Sequence, residues 1–125
     1  MRHIPITEED IREALRVCFD PELPVNIIDL GLVYGVEVSV DVDAPGIDPR
    51  YRVHVSLTMR SPNDEREGML LAQVQNRLMG MPEISRADVA MVWTPTWTAE
   101  RMNDAARHQL GLDRPAKQGL VTIRL

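Results

Sequence analysis

Polar and apolar positions change period several times along this chain, and each change marks an element. Thr7 precedes Glu8, Glu9 and Asp10, giving an N-cap with acidic residues in the first turn, where they meet the positive end of a helix dipole. Ile11, Ala14, Leu15 and Cys18 then recur at helical spacing, which predicts a helix over about residues 8–18; Asp20-Pro21 opposes its continuation past Phe19. From Leu32 the period becomes two. Leu32, Tyr34, Val36, Val38 and Val40 form one face, and Gly35, Glu37, Ser39 and Asp41 form a wet one.

Residues 43–50 are loop chemistry, after which Tyr51, Val53, Val55, Leu57 and Met59 alternate with Arg52, His54, Ser56 and Thr58. The two strands are expected to form an antiparallel hairpin. Ser61-Pro62 fits an N-cap followed by proline at the first helical position, with Asp64, Glu65 and Glu67 in the opening turns. Met69, Leu70, Leu71, Val74 and Leu78 make a core-facing stripe, closed by Gly80 and Pro82. A third strand follows over 84–93, best at 87–93. Thr98 is placed to cap a third helix through Leu110, with Gly111 at its C-terminal turn. The order is α-β-β-α-β-α. Residues 1–125 read as a single domain with a core over about 7–112, and 113–125 as a tail, either loose or adding VTIRL as an edge strand.

Composition narrows the function classes. A 125-residue chain with 44% hydrophobic residues can bury a core without disulfides or a structural metal, and seven methionines beside only five aromatics suit adaptable packing. The net charge of −5, with no Lys/Arg cluster, argues against nucleic acid as a partner. MRHIPITEED has no apolar signal core, and no segment approaches the roughly 20 apolar residues of a membrane span, so no membrane association and a cytoplasmic location are expected. Cys18 is the sole cysteine, which excludes an intrachain disulfide and reads as a small buried hydrophobe.

The densest candidate chemistry is DPELPVNIIDLGLVYGVEV, residues 20–38, which places Asp20, Glu22 and Asp29 beside two prolines immediately before a strand. Pro21 and Pro24 fix φ and remove donors, so the segment is a rigid loop presenting acidic and amide groups. Turn capping, partner contact and hard-oxygen metal ligation with His54 all remain open for these carboxylates. Trp93 and Trp97 flank Thr94-Pro95-Thr96; one is expected to anchor the loop, and an exposed one to serve an interface. His3 and His108 are isolated and support no metal or triad motif.

Three segments in order, DPELPVNIIDLGLVYGVEV, VHVSLTMRSP and VWTPTWTAERMNDAARHQLG, resemble the family that includes the iron-sulfur assembly protein SufT, the phenylacetate-degradation protein PaaD and the related mammalian cytosolic iron-sulfur assembly component. The resemblance covers about residues 7–112. It implies an α+β fold like an iron-sulfur cluster assembly domain, a small mixed sheet of three to four strands packed against helices. It also implies that Asp20, Glu22, Leu23, Asn26 and Asp29 lie near Thr58, Met59, Ser61 and Pro62 as a partner- or ligand-binding site, with Trp97 as a further contact. The family has Thr-x-x-x-Cys-Pro at this junction; here Ser61 replaces the cysteine. A serine hydroxyl is a poor ligand for iron, so no tightly bound cofactor is expected and an iron-sulfur cluster would be carried only transiently.

These readings converge on a noncatalytic assembly or maturation factor for iron-sulfur or other iron-dependent proteins, acting by binding a client or the assembly machinery. One alternative is a PaaD-like accessory protein dedicated to a multicomponent oxygenase. Another is an enzyme or small-molecule binder using the acidic loop, which requires an enclosed pocket containing its carboxylates. A homodimer is expected from the open sheet edge.

Overall fold

The computed structural model describes residues 5–112 and bears out the mixed α+β architecture. Helix α1 (Glu8–Ala14) is followed by strands β1 (Val33–Val40) and β2 (Tyr51–Leu57), helix α2 (Asp64–Met79), strand β3 (Ile84–Met91) and helix α3 (Asp104–Gln109), with 3₁₀ turns at Leu15–Val17 and Ala99–Arg101. The sheet order is β1-β2-β3; β1 and β2 are antiparallel, β2 and β3 parallel. A parallel pair needs a crossover, and α2 supplies it. The expectation of a tail or edge strand beyond 112 lies outside the described residues.

One face of the sheet carries the core. Val36, Val53, Val55, Leu57, Ile84 and Ala87 pack with Ile11 and Leu15 of the first helical segment and with Leu70, Val74 and Leu78 of α2. The last three recur at i, i+4 and i+8, so one stripe of α2 is buried. Met69, expected in that stripe, is exposed instead. On the opposite sheet face Glu37, His54 and Asp88 stand in register across the three strands.

Local rules explain four departures from the sequence pattern. The first helix is shorter than 8–18, because Leu15–Val17 tightens to 3₁₀ and Cys18 turns extended (φ −96°, ψ 132°) to enter the acidic loop. In β1 the register slips between Val33 and Gly35, so Tyr34 leaves the apolar face to which strict alternation assigned it. Helix α2 is capped by Asn63, whose side chain accepts from Arg66 N–H, and Ser61-Pro62 is the connection before it. Serine and asparagine are comparable caps, so the segment offers two starts. The helix expected from Thr98 to Leu110 is broken. Thr98 makes no side-chain cap, Met102 is extended and buried, and Asn103 caps α3. The third strand likewise ends at Met91, short of Trp93.

Candidate functional site

Strands β2 and β3 run parallel, and the segments leaving their C-terminal ends meet. Residues Thr58, Met59, Arg60, Ser61 and Pro62 after β2, with Trp93, Thr96 and Trp97 after β3, line a cavity of about 190 Å³. The C-terminal ends of parallel strands are the usual place for a ligand site, because successive connections open a crevice there. Backbone bonds fix the walls: Thr58 N–H donates to Leu32 O at 2.8 Å and Val92 N–H to Leu57 O at 2.7 Å.

Trp97 is buried, and its indole N–H donates to Leu30 O at 2.8 Å, so it anchors the second wall and is not the exposed interface residue allowed for by the sequence. Trp93, 38% exposed, is the one that faces solvent. Ser61 and Pro62 are exposed at the rim. Thr58 is 1% exposed, yet its hydroxyl has no hydrogen-bond partner among the described residues. That is unusual, since an unsatisfied buried hydroxyl costs about 1–3 kcal/mol.

The acidic loop divides into two structural units. Asp20 is buried; one carboxylate oxygen accepts from the N–H groups of Glu22 (2.7 Å) and Leu23 (2.9 Å), forming an Asx turn, and the other faces Arg60 Nε at 3.3 Å. Glu22 accepts from Arg60 Nη2 at 3.2 Å and Arg66 Nη1 at 2.8 Å. Asp20 and Glu22 therefore back the cavity through Arg60 without lining it. Half-buried Leu23 follows in the same turn.

Asn26 and Asp29 form the second unit. Asn26 Oδ1 accepts from Ile28 and Asp29 N–H, and its amide donates to Asp29 at 2.8 Å. Asp29 also accepts from Arg16 and from Asn103 Nδ2 (2.7 Å), while Asn103 N–H donates to Asp29 O at 2.9 Å. This cluster locks α3 onto the loop, and neither residue lines the cavity. Burial pushes the Asp29 carboxyl up, but the hydrogen bonds from Asn103, Arg16 and Asn26 outweigh it and leave it below the usual carboxylate value.

The enclosed carboxylate pocket required by an acid-base reading is thus not formed by Asp20, Glu22 or Asp29 at this cavity. No group of three His, Cys, Asp or Glu among the described residues is arranged to hold a metal, and His54 lies on the other face of the sheet from the core. Cys18 is buried, and burial pushes its thiol up. Arg60 is the cavity-lining residue that sequence reasoning missed. Its partner Asp20 is 40 positions away, and periodicity carries no trace of such a pair.

A strand-to-helix junction facing a tryptophan-bearing loop across the ends of two parallel strands defines a small α+β domain with a cavity at one end of its sheet and no cysteine among the lining residues. The sequence model of the family described as "Iron-sulfur cluster assembly protein" matches residues 8–91, and the chain belongs to that family. It is 34% identical to the Fe-S protein maturation auxiliary factor YitW of Bacillus subtilis, over 84% of this chain and 94% of that one. It is 36% identical to the Fe-S protein maturation auxiliary factor SufT of Staphylococcus aureus, over 74% of this chain and 96% of that one. Among solved structures, it resembles a domain of unknown function, DUF59, from Bacillus anthracis (TM-score 0.68, 32% identity, 84% and 92% coverage). It also resembles the conserved hypothetical protein TM0487 from Thermotoga maritima (TM-score 0.64, 30% identity, 85% and 95% coverage). No described helix is long and apolar enough to cross a membrane.

Proposed function

We propose that this protein is a noncatalytic maturation factor for iron-sulfur proteins, and that it works by binding a client or another assembly protein at the cavity between the Thr58–Pro62 junction and the Trp93–Trp97 loop. The observation that carries this reading is the cavity itself: a preformed recess with an exposed tryptophan at its edge and no catalytic pair within it. Asp20, Glu22 and Arg60 act as its support. The relatives named as maturation auxiliary factors supply the class of client.

Recognition is favoured over direct cluster transfer because of ligand chemistry. The cluster is cargo in such a system, and its preferred protein ligands are thiolates. Ser61 offers a hydroxyl at the rim, while Cys18, the sole thiol, is buried elsewhere in the core. A single thiol per chain leaves at least three positions of a four-ligand cluster to be filled by other molecules.

The test uses cells lacking the gene. Iron-sulfur enzymes should lose activity under iron limitation and regain it with the wild type but not with Trp93→Ala. Affinity capture by the wild type should recover an iron-sulfur protein or a member of its assembly machinery. Unchanged enzyme activities in the deletion would refute the maturation role. Stoichiometric iron and sulfide on the purified chain after anaerobic reconstitution would refute recognition without transfer.

A further inference from the structure

We infer that the outer edge of β3 is a self-association surface, on which a second copy of the chain adds its own β3 antiparallel, with Arg86 of each copy facing Asp88 of the other. This goes beyond the maturation reading and rests on a different part of the molecule. Strand β3 is eight residues long and lies at the edge of the sheet. Leu57 stands opposite Met91 and accepts from Val92 N–H, so in this parallel ladder alternate residues of β3, Asp88 and Ala90 among them, turn their backbone groups toward β2. The N–H and C=O groups of Ala87 and Val89 therefore point outward, and no other described strand takes them. Such a row is a template for a further strand.

Charge selects the strand that fits. Arg86 and Asp88 lie on the sheet face away from the core, with side chains 64% and 54% exposed. Their contact within one chain, Arg86 Nε to Asp88 Oδ2 at 3.4 Å, is a solvated pair worth little, so both charges are free to turn to a partner. A two-fold axis through Ala87 sets that residue opposite its own copy in a hydrogen-bonded pair. The same axis brings Arg86 opposite Asp88 of the second copy twice, at non-hydrogen-bonded positions, where side chains approach most closely.

Neighbouring registers lose this match. Moving the axis by one residue sets Asp88 on Asp88 or Arg86 on Arg86, and moving it by two separates the opposite charges. The other edge of the sheet has no equivalent. Within β1 the only charged residue is Glu37, so no self-pairing of that strand joins opposite charges, and its register slip between Val33 and Gly35 interrupts the ladder. Pairing through β3 gives one six-stranded sheet. Because the two β3 strands run in opposite directions, the two cavities open at opposite ends of it.

The test is analytical ultracentrifugation of the full chain at low salt, from micromolar to millimolar concentration, with thermal melts reporting the fold of each variant. The wild type should show a monomer-dimer equilibrium. Arg86→Glu and Asp88→Arg each place like charges at both contacts and should weaken association by about tenfold or more. An equimolar mixture of the two variants should recover it, since opposite charges then meet at both contacts, and the double variant should dimerise like the wild type. A chain that stays monomeric throughout overturns the proposal, whatever strand its edge then takes. So does a dimer indifferent to both reversals, or a loss that neither mixing nor the double variant restores.

Discussion

Arg60 Nε lies 3.3 Å from Asp20 Oδ2, joining the end of β2 to the acidic loop across 40 positions of chain. Because Asp20 is buried and also holds the Glu22 and Leu23 N–H groups, it does two jobs with one side chain. Asp20→Ala removes the pair and the turn together and, because Arg60 keeps Glu22 as a partner, should destabilise the fold by about 1–3 kcal/mol, the range for buried donors that lose their acceptor. Asp20→Asn keeps a turn acceptor and should lose less. Urea unfolding with unchanged m-values would show this order; equal losses would separate the turn from the stability argument.

Asp29 makes stability depend on acid. Its folded-state carboxyl lies below the ordinary value, so its contribution is complete above the unfolded pKa of about 4 and is lost as pH falls through the folded value. Wild type should therefore weaken progressively as pH falls below about 4. Asp29→Asn should be less stable at pH 7 and show a flatter acid limb. Melting temperatures across pH 2–6 test this, and parallel curves for the two proteins would contradict it.

Gly31 and Gly111 share a φ of 75° but differ in surroundings. A Cβ on Gly31 would sit 2.3 Å from Arg101 O, whereas nothing lies within 4 Å of one on Gly111. Gly111→Ala should lose only the roughly 1–2 kcal/mol of left-handed backbone strain. Gly31→Ala should cost more, because Arg101 carries the 3₁₀ turn that presses against the loop. Comparable denaturation midpoints for the two variants would show that the turn yields freely.

The two tryptophans should separate stability from binding. Trp97→Phe removes the donor to Leu30 O and should cost about 1–3 kcal/mol for the unsatisfied carbonyl and lost packing. Trp93→Ala, at a partly exposed position, should change stability by less than about 1 kcal/mol while reducing client capture. Thermal melts and capture yields on the same preparations decide the matter; loss of both properties in Trp93→Ala would assign it to the fold.

Much of the fold is legible in the sequence because the rules concerned are local. The alternation from Tyr51 to Leu57 and the repeat of Leu70, Val74 and Leu78 appear in the structure as written. What was not legible depends on contacts between distant segments. Asn103 starts α3 because it is held by Asp29, 74 positions away, and this divides a helix that local propensity would run through. Tyr34 leaves the core face at a register slip, and its hydroxyl donates to Pro95 O while Arg101 stacks over its ring, placing it beside the cavity loop. The candidate site was legible at Thr58, Ser61 and Pro62 through the family resemblance, and all three line the cavity. It was less so at Asn26 and Asp29, whose polar side chains look the same in sequence whether they face a partner or secure a helix.

The antiparallel turn between β1 and β2 lies at the far end of the sheet from the cavity, since β2 runs from one to the other. Val42 and Ile47 on that turn are almost wholly solvated. The molecule therefore has a handle remote from its working end: a fluorophore, affinity peptide or surface linkage placed between Asp43 and Asp48 would leave the tryptophan-edged recess open to visitors.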